Sequence, residues 1–218
     1  MLSKLEIRES RSSDATGIEQ LYVDAFPDED LLPLVKELLE FRQNVISLVG
    51  IHENAIAGHI AFTFCGIEGG QDKVALLGPL AVTPTLHNQG IGSTLVQTGF
   101  KCLENSKIGH VFVLGDPAYY SRFGFKAENK VATPYPLPTE WHGAWQSIRL
   151  GDGEAPHEGR LSVPEPWRQI ALWTSCPSDP LLCRARSKHP CLPALGQERA
   201  LRAYARDHRF TYNSSPSG

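Results

Sequence analysis

The segment VALLGPLAV, Val74 to Val82, constrains the fold of this chain more than any other. Its residues are almost wholly apolar, as expected of a central strand buried on both faces, yet Gly78 and Pro79 stand in its middle. Proline cannot donate to a strand ladder and an interior glycine often marks a bulge. The pair therefore predicts a strand that bends or parts from one neighbour.

The flanking sequence predicts a mixed α/β architecture. A short strand around Leu5 and Ile7 precedes a helix that Asp14 opens, with Ile18, Leu21, Tyr22, Ala25 and Phe26 on its apolar face. After the acidic turn PDED a second helix is expected from roughly Leu31 to Phe41, with Pro33 in its first turn. VISLVG (Val45 to Gly50) and IAGHIAFTFCGI (Ile56 to Ile67) are β-rich runs joined across HENA as a hairpin, and GIEGGQDK is a second hairpin loop. Beyond Val82 a polar loop, TPTLHNQ, leads into GIGSTLVQTGFKCLENSK, which places Ile91, Leu95, Val96, Gly99, Phe100 and Leu103 on one helical face. HVFVLGD is another buried strand, PAYYSRF a short helix and GFKAE the start of a further strand. WQSIRLG follows as a late strand after the Pro-rich VATPYPLPTEWHG.

Charge separates this body from the end of the chain. Residues 1–165 hold 13 basic and 21 acidic side chains, whereas residues 166–218 hold 8 and 3. With 21 Lys and Arg against 24 Asp and Glu overall, no basic field exists to hold nucleic acid or an anionic membrane. No apolar run approaches the ~20 residues of a membrane span, so a cytoplasmic protein without nucleic-acid or membrane partners is expected. A domain over residues 1–173 is followed by a Pro- and Cys-rich basic extension, 174–218. The extension is expected to be poorly ordered, or a docking helix through Leu201, Tyr204, Ala205 and His208. Cys65, Cys102, Cys176, Cys183 and Cys191 are an odd, widely spaced set that makes no disulfide framework. The last three, even with His189, lack the short pairing of a structural zinc site, so no metal is expected. Trp141, Trp145, Trp167 and Trp173 are expected to pack the late strand and the Pro-rich wrap.

Chemistry concentrates where the broken strand runs through its loop into the next helix. Consecutive backbone N–H groups of Gln89, Gly90, Ile91, Gly92 and Ser93 would lie at a helix N-terminus, where unpaired donors and the helix dipole favour a phosphate. Gly90 and Gly92 let that backbone approach closely. A P-loop is excluded, because Ser93, Thr94 and Leu95 follow Gly92 and no lysine is near. A dinucleotide fingerprint fails as well: Leu95 fills the position of its third glycine, and the preceding strand arrives by a meander.

LGPLAVTPTLHNQGIGSTLV, followed 14 residues later by VFVLGDPAYYSRFGF, resembles the GCN5-related N-acetyltransferase (GNAT) superfamily, and in particular its YhbS-like acetyltransferases. The resemblance covers roughly residues 3–173 and includes the bulged strand, the Q/R-x-x-G-x-G/A loop and the Tyr-x-x-x-Gly-Phe ending. It implies a mixed, twisted central sheet splayed at the bulged strand with helices on both faces. It also implies acetyl-CoA as cosubstrate and direct transfer of acetyl to a primary amine. The loop falls on His87, Asn88, Gln89, Gly90, Ile91 and Gly92, whose amides would hold the CoA pyrophosphate. The sequence departs at His87, where Gln or Arg is usual; a neutral imidazole weakens the electrostatic part of that clamp. Leu80, Ala81 and Val82 match the segment whose freed backbone groups pair with the pantetheine arm, as an added strand would.

The resemblance further selects Tyr120 as the general acid toward the departing thiolate, a choice that periodicity alone does not make between Tyr119 and Tyr120. No carboxylate occurs between Val74 and Val82, where relatives often place one. Asp116 and the turn residues Asp28, Glu29 and Asp30 are candidates, but their plainer reading as turn and solvated-loop residues is the stronger one, so no general base is assigned. The implied partner is a small-molecule or protein amine; the sequence is compatible with a homodimer but does not fix the oligomeric state. An acetyl-CoA-binding regulatory or interaction module with little catalysis is the alternative, and His87 and the missing strand carboxylate leave room for it.

Overall fold

The computed structural model describes residues 5–151 and 156–174. The extension from residue 175 onward, with Cys176, Cys183, Cys191 and the stripe around Leu201, lies outside the described residues. In chain order the elements are β1 (Leu5–Glu9), α1 (Ala15–Ala25), α2 (Leu32–Glu40), β2 (Val45–His52), β3 (Ala55–Ile67), β4 (Val74–Val82), α3 (Ile91–Asn105), β5 (His110–Leu114), α4 (Pro117–Tyr120), β6 (Lys126–Ala127), β7 (Val131–Ala132), β8 (Trp145–Arg149) and β9 (Gly159–Ser162).

β1 to β4 form an antiparallel meander. The β2–β3 hairpin closes through Glu53 and Asn54, both at positive φ (49° and 63°), the backbone of a two-residue primed turn that matches strand twist. After the crossover helix α3, β5 joins β4 in parallel, then pairs with β8, which also carries β6.

The expected break lies in β4. Ile60 faces Leu80 and Phe62 faces Leu77, so Gly78 and Pro79 together oppose Ala61, with Gly78 at φ 149°, a conformation that favours glycine. On its other edge β4 meets β5 only over Ala75–Leu77 against Val111–Val113. Leu80, Ala81 and Val82 stay registered on Ile60, His59 and Gly58 of β3, and the sheet parts beyond Leu77.

Helices cover both faces. Ile91, Leu95, Val96 and Leu103 of α3 pack with Leu48, Ile60, Phe62 and Leu77. Leu95 and Val96 are fully buried, each contributing about 1.5–3 kcal/mol relative to exposure. On the opposite face Ile18, Leu21, Tyr22 and Val35 pack with Val49 and Ala81. All four tryptophans are buried: Trp145 stacks on Phe112 at 5.4 Å, and Trp167 and Trp173 close the core behind them. Periodicity does not reveal two strands, β7 at the head of the Pro-rich stretch and β9 beyond β8; they run parallel to each other, and β9 pairs antiparallel with the end of β3.

Candidate active site

The loop after β4 turns through Pro84–Leu86 and then needs left-handed backbone at Asn88 (φ 61°) and Gly90 (φ 87°). Gly90 is the N-cap of α3, and its carbonyl accepts from Thr94 N at 2.9 Å. The N–H groups of Ile91, Gly92 and Ser93 lie in the first turn, where a helix offers no internal acceptor. His87, Asn88, Gln89 and Gly90 are exposed, whereas Ile91 and Gly92 are buried. Val82 and the expected loop residues His87 to Ser93 thus gather at one rim of the gap between β4 and β5.

Two details differ from the expected clamp. His87 turns back, its Nε2 donating to the Val82 carbonyl at 2.9 Å, so the imidazole fastens the loop to the end of β4. Gly92 is needed for a neighbour: a Cβ there would lie 2.5 Å from the Tyr119 hydroxyl. Tyr119 therefore overlies the first turn of α3, with the Arg122 guanidinium 4.7 Å above its ring. Burial raises the Tyr119 pKa, and Arg122 and Ser93 oppose that rise.

The two adjacent tyrosines divide the site. Tyr119 reaches the loop, while Tyr120 points inward, 1% exposed, edge-on to Tyr119 and Phe125 at 5.0 and 5.4 Å. Tyr22 of α1 packs in one cluster with Ala81, beyond the bulge of β4, and its pKa is held well above the usual phenol range by burial and, second, by the Tyr120 phenol.

Behind Tyr22 runs a chain of polar groups that sequence reasoning missed. Tyr22 Oη lies 2.9 Å from His59 Nδ1, His59 Nε2 lies 2.8 Å from Ser47 Oγ, and Ser47 Oγ lies 2.7 Å from Ser10 Oγ. Burial pushes the His59 pKa down to about 3, so the imidazole is neutral. The available signal was a histidine and a serine in strands at positions facing the core.

Of the candidate carboxylates, Asp116 caps α4, accepting from Ala118 N at 2.9 Å; in the α1–α2 turn Asp28 and Asp30 are exposed, whereas Glu29 is half-buried with its Oε2 atom buried. Cys65 and Cys102 are free thiols. Among the described residues no cluster of three or more His, Cys, Asp or Glu could hold a metal ion, and no helix is long and apolar enough to cross a membrane.

The mixed sheet parts beyond a bulge, with a helix N-terminus at the mouth of the opening. Residues 15–125 match the Acetyltransferase (GNAT) family. The uncharacterized N-acetyltransferase YjhQ of Escherichia coli K12 is 35% identical over 167 residues, 73% of this chain and 92% of that protein. YhbS of the same strain is 33% identical over 156 residues, 70% and 89% respectively. The solved structure of E. coli YhbS in complex with CoA superposes with a TM-score of 0.66 at 26% identity, covering 77% of this chain and 93% of that one. A Brucella melitensis GNAT acetyltransferase in complex with acetyl-CoA gives 0.61 at 28% identity, covering 75% and 98%. The chain belongs to the GNAT acetyltransferase family.

Proposed function

We propose that the protein is an N-acetyltransferase that moves acetyl from acetyl-CoA to a primary amine of a small-molecule or protein acceptor. The observation that carries the reading is the N-terminus of α3 opening at the rim where β4 leaves β5. The donor set fits the cosubstrate: first-turn amides for a pyrophosphate, and a strand segment beyond the bulge for an extended arm. The two relatives solved with CoA and acetyl-CoA support the same ligand.

In this reading the amides of Gln89, Gly90, Ile91, Gly92 and Ser93 take the pyrophosphate, and His87 and Asn88 hold the loop in shape. Leu80, Ala81 and Val82 supply the strand edge, with His87 already on the Val82 carbonyl. Tyr120, buried at the gap, donates its proton as the thiolate departs. Acetyl-CoA supplies an acyl group already activated as a thioester, and holding the amine against it provides much of the acceleration.

Calorimetric titration with acetyl-CoA, NAD and ATP, followed by thiol release against spermidine, kanamycin, glycine and a lysine-containing peptide, tests the reading. Selective acetyl-CoA binding is expected, with amine-dependent thiol release that falls about 100-fold in Tyr120→Phe. Binding without turnover on any amine makes the protein a regulatory module. No acetyl-CoA binding removes both readings.

A further inference from the structure

The polar chain behind Tyr22 has no part in holding a phosphate or a pantetheine arm, and stability alone does not explain it. His59 stands on β3 between Val49 and Ala81, both apolar, and is 2% exposed. Burying an imidazole there is unfavourable unless both ring nitrogens are satisfied, and both are, by Tyr22 and Ser47. Exposure rises along the chain, from Tyr22 and His59 in the core to half-buried Ser47 and Ser10. Its inner end, Tyr22, packs with Ala81, which lies in the segment beyond the bulge and is the strand partner of His59. The chain therefore joins the gap to solvent.

We propose that Tyr22, His59, Ser47 and Ser10 form the path by which the acceptor ammonium loses its proton before attack; this rests on the acetyl-transfer reading above. Each hydroxyl both donates and accepts, and a neutral imidazole donates from one nitrogen and accepts at the other, so all the bonds reverse together. As Tyr22 Oη takes a proton from the ammonium, its own proton passes to His59 Nδ1. The Nε2 proton passes to Ser47, that of Ser47 to Ser10, and that of Ser10 to water. The freed nitrogen lone pair forms the N–C bond to the acetyl carbon, and the C–S bond breaks with its electron pair on sulfur. The second nitrogen proton ends on the sulfur. In this concerted shift His59 need not hold a lasting positive charge, which suits its burial. Tyr22 meets the amine; His59, Ser47 and Ser10 act through it as relay and positioning residues.

The test has two readouts. In the free protein, nitrogen NMR of labelled histidine should show a His59 ring that stays neutral from pH 5 to 9, with Ser47→Ala moving the Nε2 resonance and Tyr22→Phe the Nδ1 resonance. A ring that titrates near neutrality, or is unmoved by both variants, overturns the chain. Steady-state thiol release is then compared for the four ammonium acceptors named above and for hydroxylamine, which is neutral at pH 7.5 and needs no proton removed before attack. Ser47→Ala and Tyr22→Phe should lower kcat with an ammonium acceptor about 10- to 100-fold and leave the KM for acetyl-CoA and the hydroxylamine rate within about threefold. Ser47 is half-buried, so its variant keeps the test open should His59→Gln fail to fold. Equal losses with both kinds of nucleophile, or no loss with either, overturn the relay while acetyl transfer stands. A wild type silent toward every nucleophile overturns acetyl transfer and the relay with it.

Discussion

Toward α3 the central strands present Leu48, Ile60, Phe62 and Leu77, all apolar; toward α1 and α2 the same strands present Ser47, His59 and Thr63 among Val49, Ala61 and Ala81. Most of these residues are buried, yet the two faces work differently. The first fills space, while on the second each polar group has a named partner, Thr63 Oγ1 accepting from Trp167 Nε1 at 2.9 Å. Burial by itself does not separate packing from chemistry; the hydrogen-bond partners do.

Substitutions on each face should fail in different ways. The largest effect is expected on the apolar face, where Phe62→Ala empties a fully buried site beside Gly99 and should lower unfolding stability by about 3–5 kcal/mol in urea titrations. Acetyl-CoA affinity in the surviving folded protein should change little.

Next in size is the anchor of the helix that covers the polar face. Asp14, just before α1, pairs with Arg8 at 2.7 Å and accepts from Arg11 N at 2.6 Å. The Arg8 hydrogen bond is the main cause that lowers its pKa from 3.8 to about 2, against opposing burial. A depressed carboxylate stabilises the fold above its unfolded pKa and loses that contribution as pH falls through the folded one. Asp14→Asn should therefore cost up to about 2 kcal/mol at pH 7, and thermal midpoints of wild type and variant should converge between pH 4 and pH 2.

On the polar face itself, Trp167→Phe leaves the buried Thr63 hydroxyl without its donor and should cost about 1–2 kcal/mol. Adding Thr63→Val should recover part of that loss, because removing both partners of a hydrogen bond is cheaper than removing one. Stability that falls further in the double variant would show that this face is ordinary packing.

The smallest expected effect is on affinity at the rim. Gly92→Ala puts a methyl against the Tyr119 hydroxyl and should weaken acetyl-CoA binding about tenfold, or about 1.4 kcal/mol, by calorimetry. The same change in a Tyr119→Phe background should bind nearly as the single Tyr119→Phe variant does.

Much of the apolar face was legible in the sequence, because periodicity reports which residues turn inward: Ile91, Leu95, Val96 and Leu103 on α3, and the near-continuous run of β4 with its break at Gly78 and Pro79. The strands β7 and β9, of two and four residues, are set by backbone pairing and carry too little pattern to be seen. At the site, the loop from His87 to Ser93 was legible because its chemistry is local, a glycine-bearing turn at a helix start. The division of labour between Tyr119 and Tyr120 was not, nor was the meeting of Tyr22 with His59. Both depend on which side chains from distant segments arrive at one point, and periodicity names a face but never the partner across it.

The contact between Gly92 and Tyr119 also ties together two positions that no local motif connects. An alignment of relatives should show them changing in concert: wherever a side chain occupies the first, the second should have given up its hydroxyl or its size. The glycine that a loop motif reads as a property of phosphate binding would then be inherited jointly with an aromatic residue on a separate element, and a search pattern written over both would discriminate better than the loop alone.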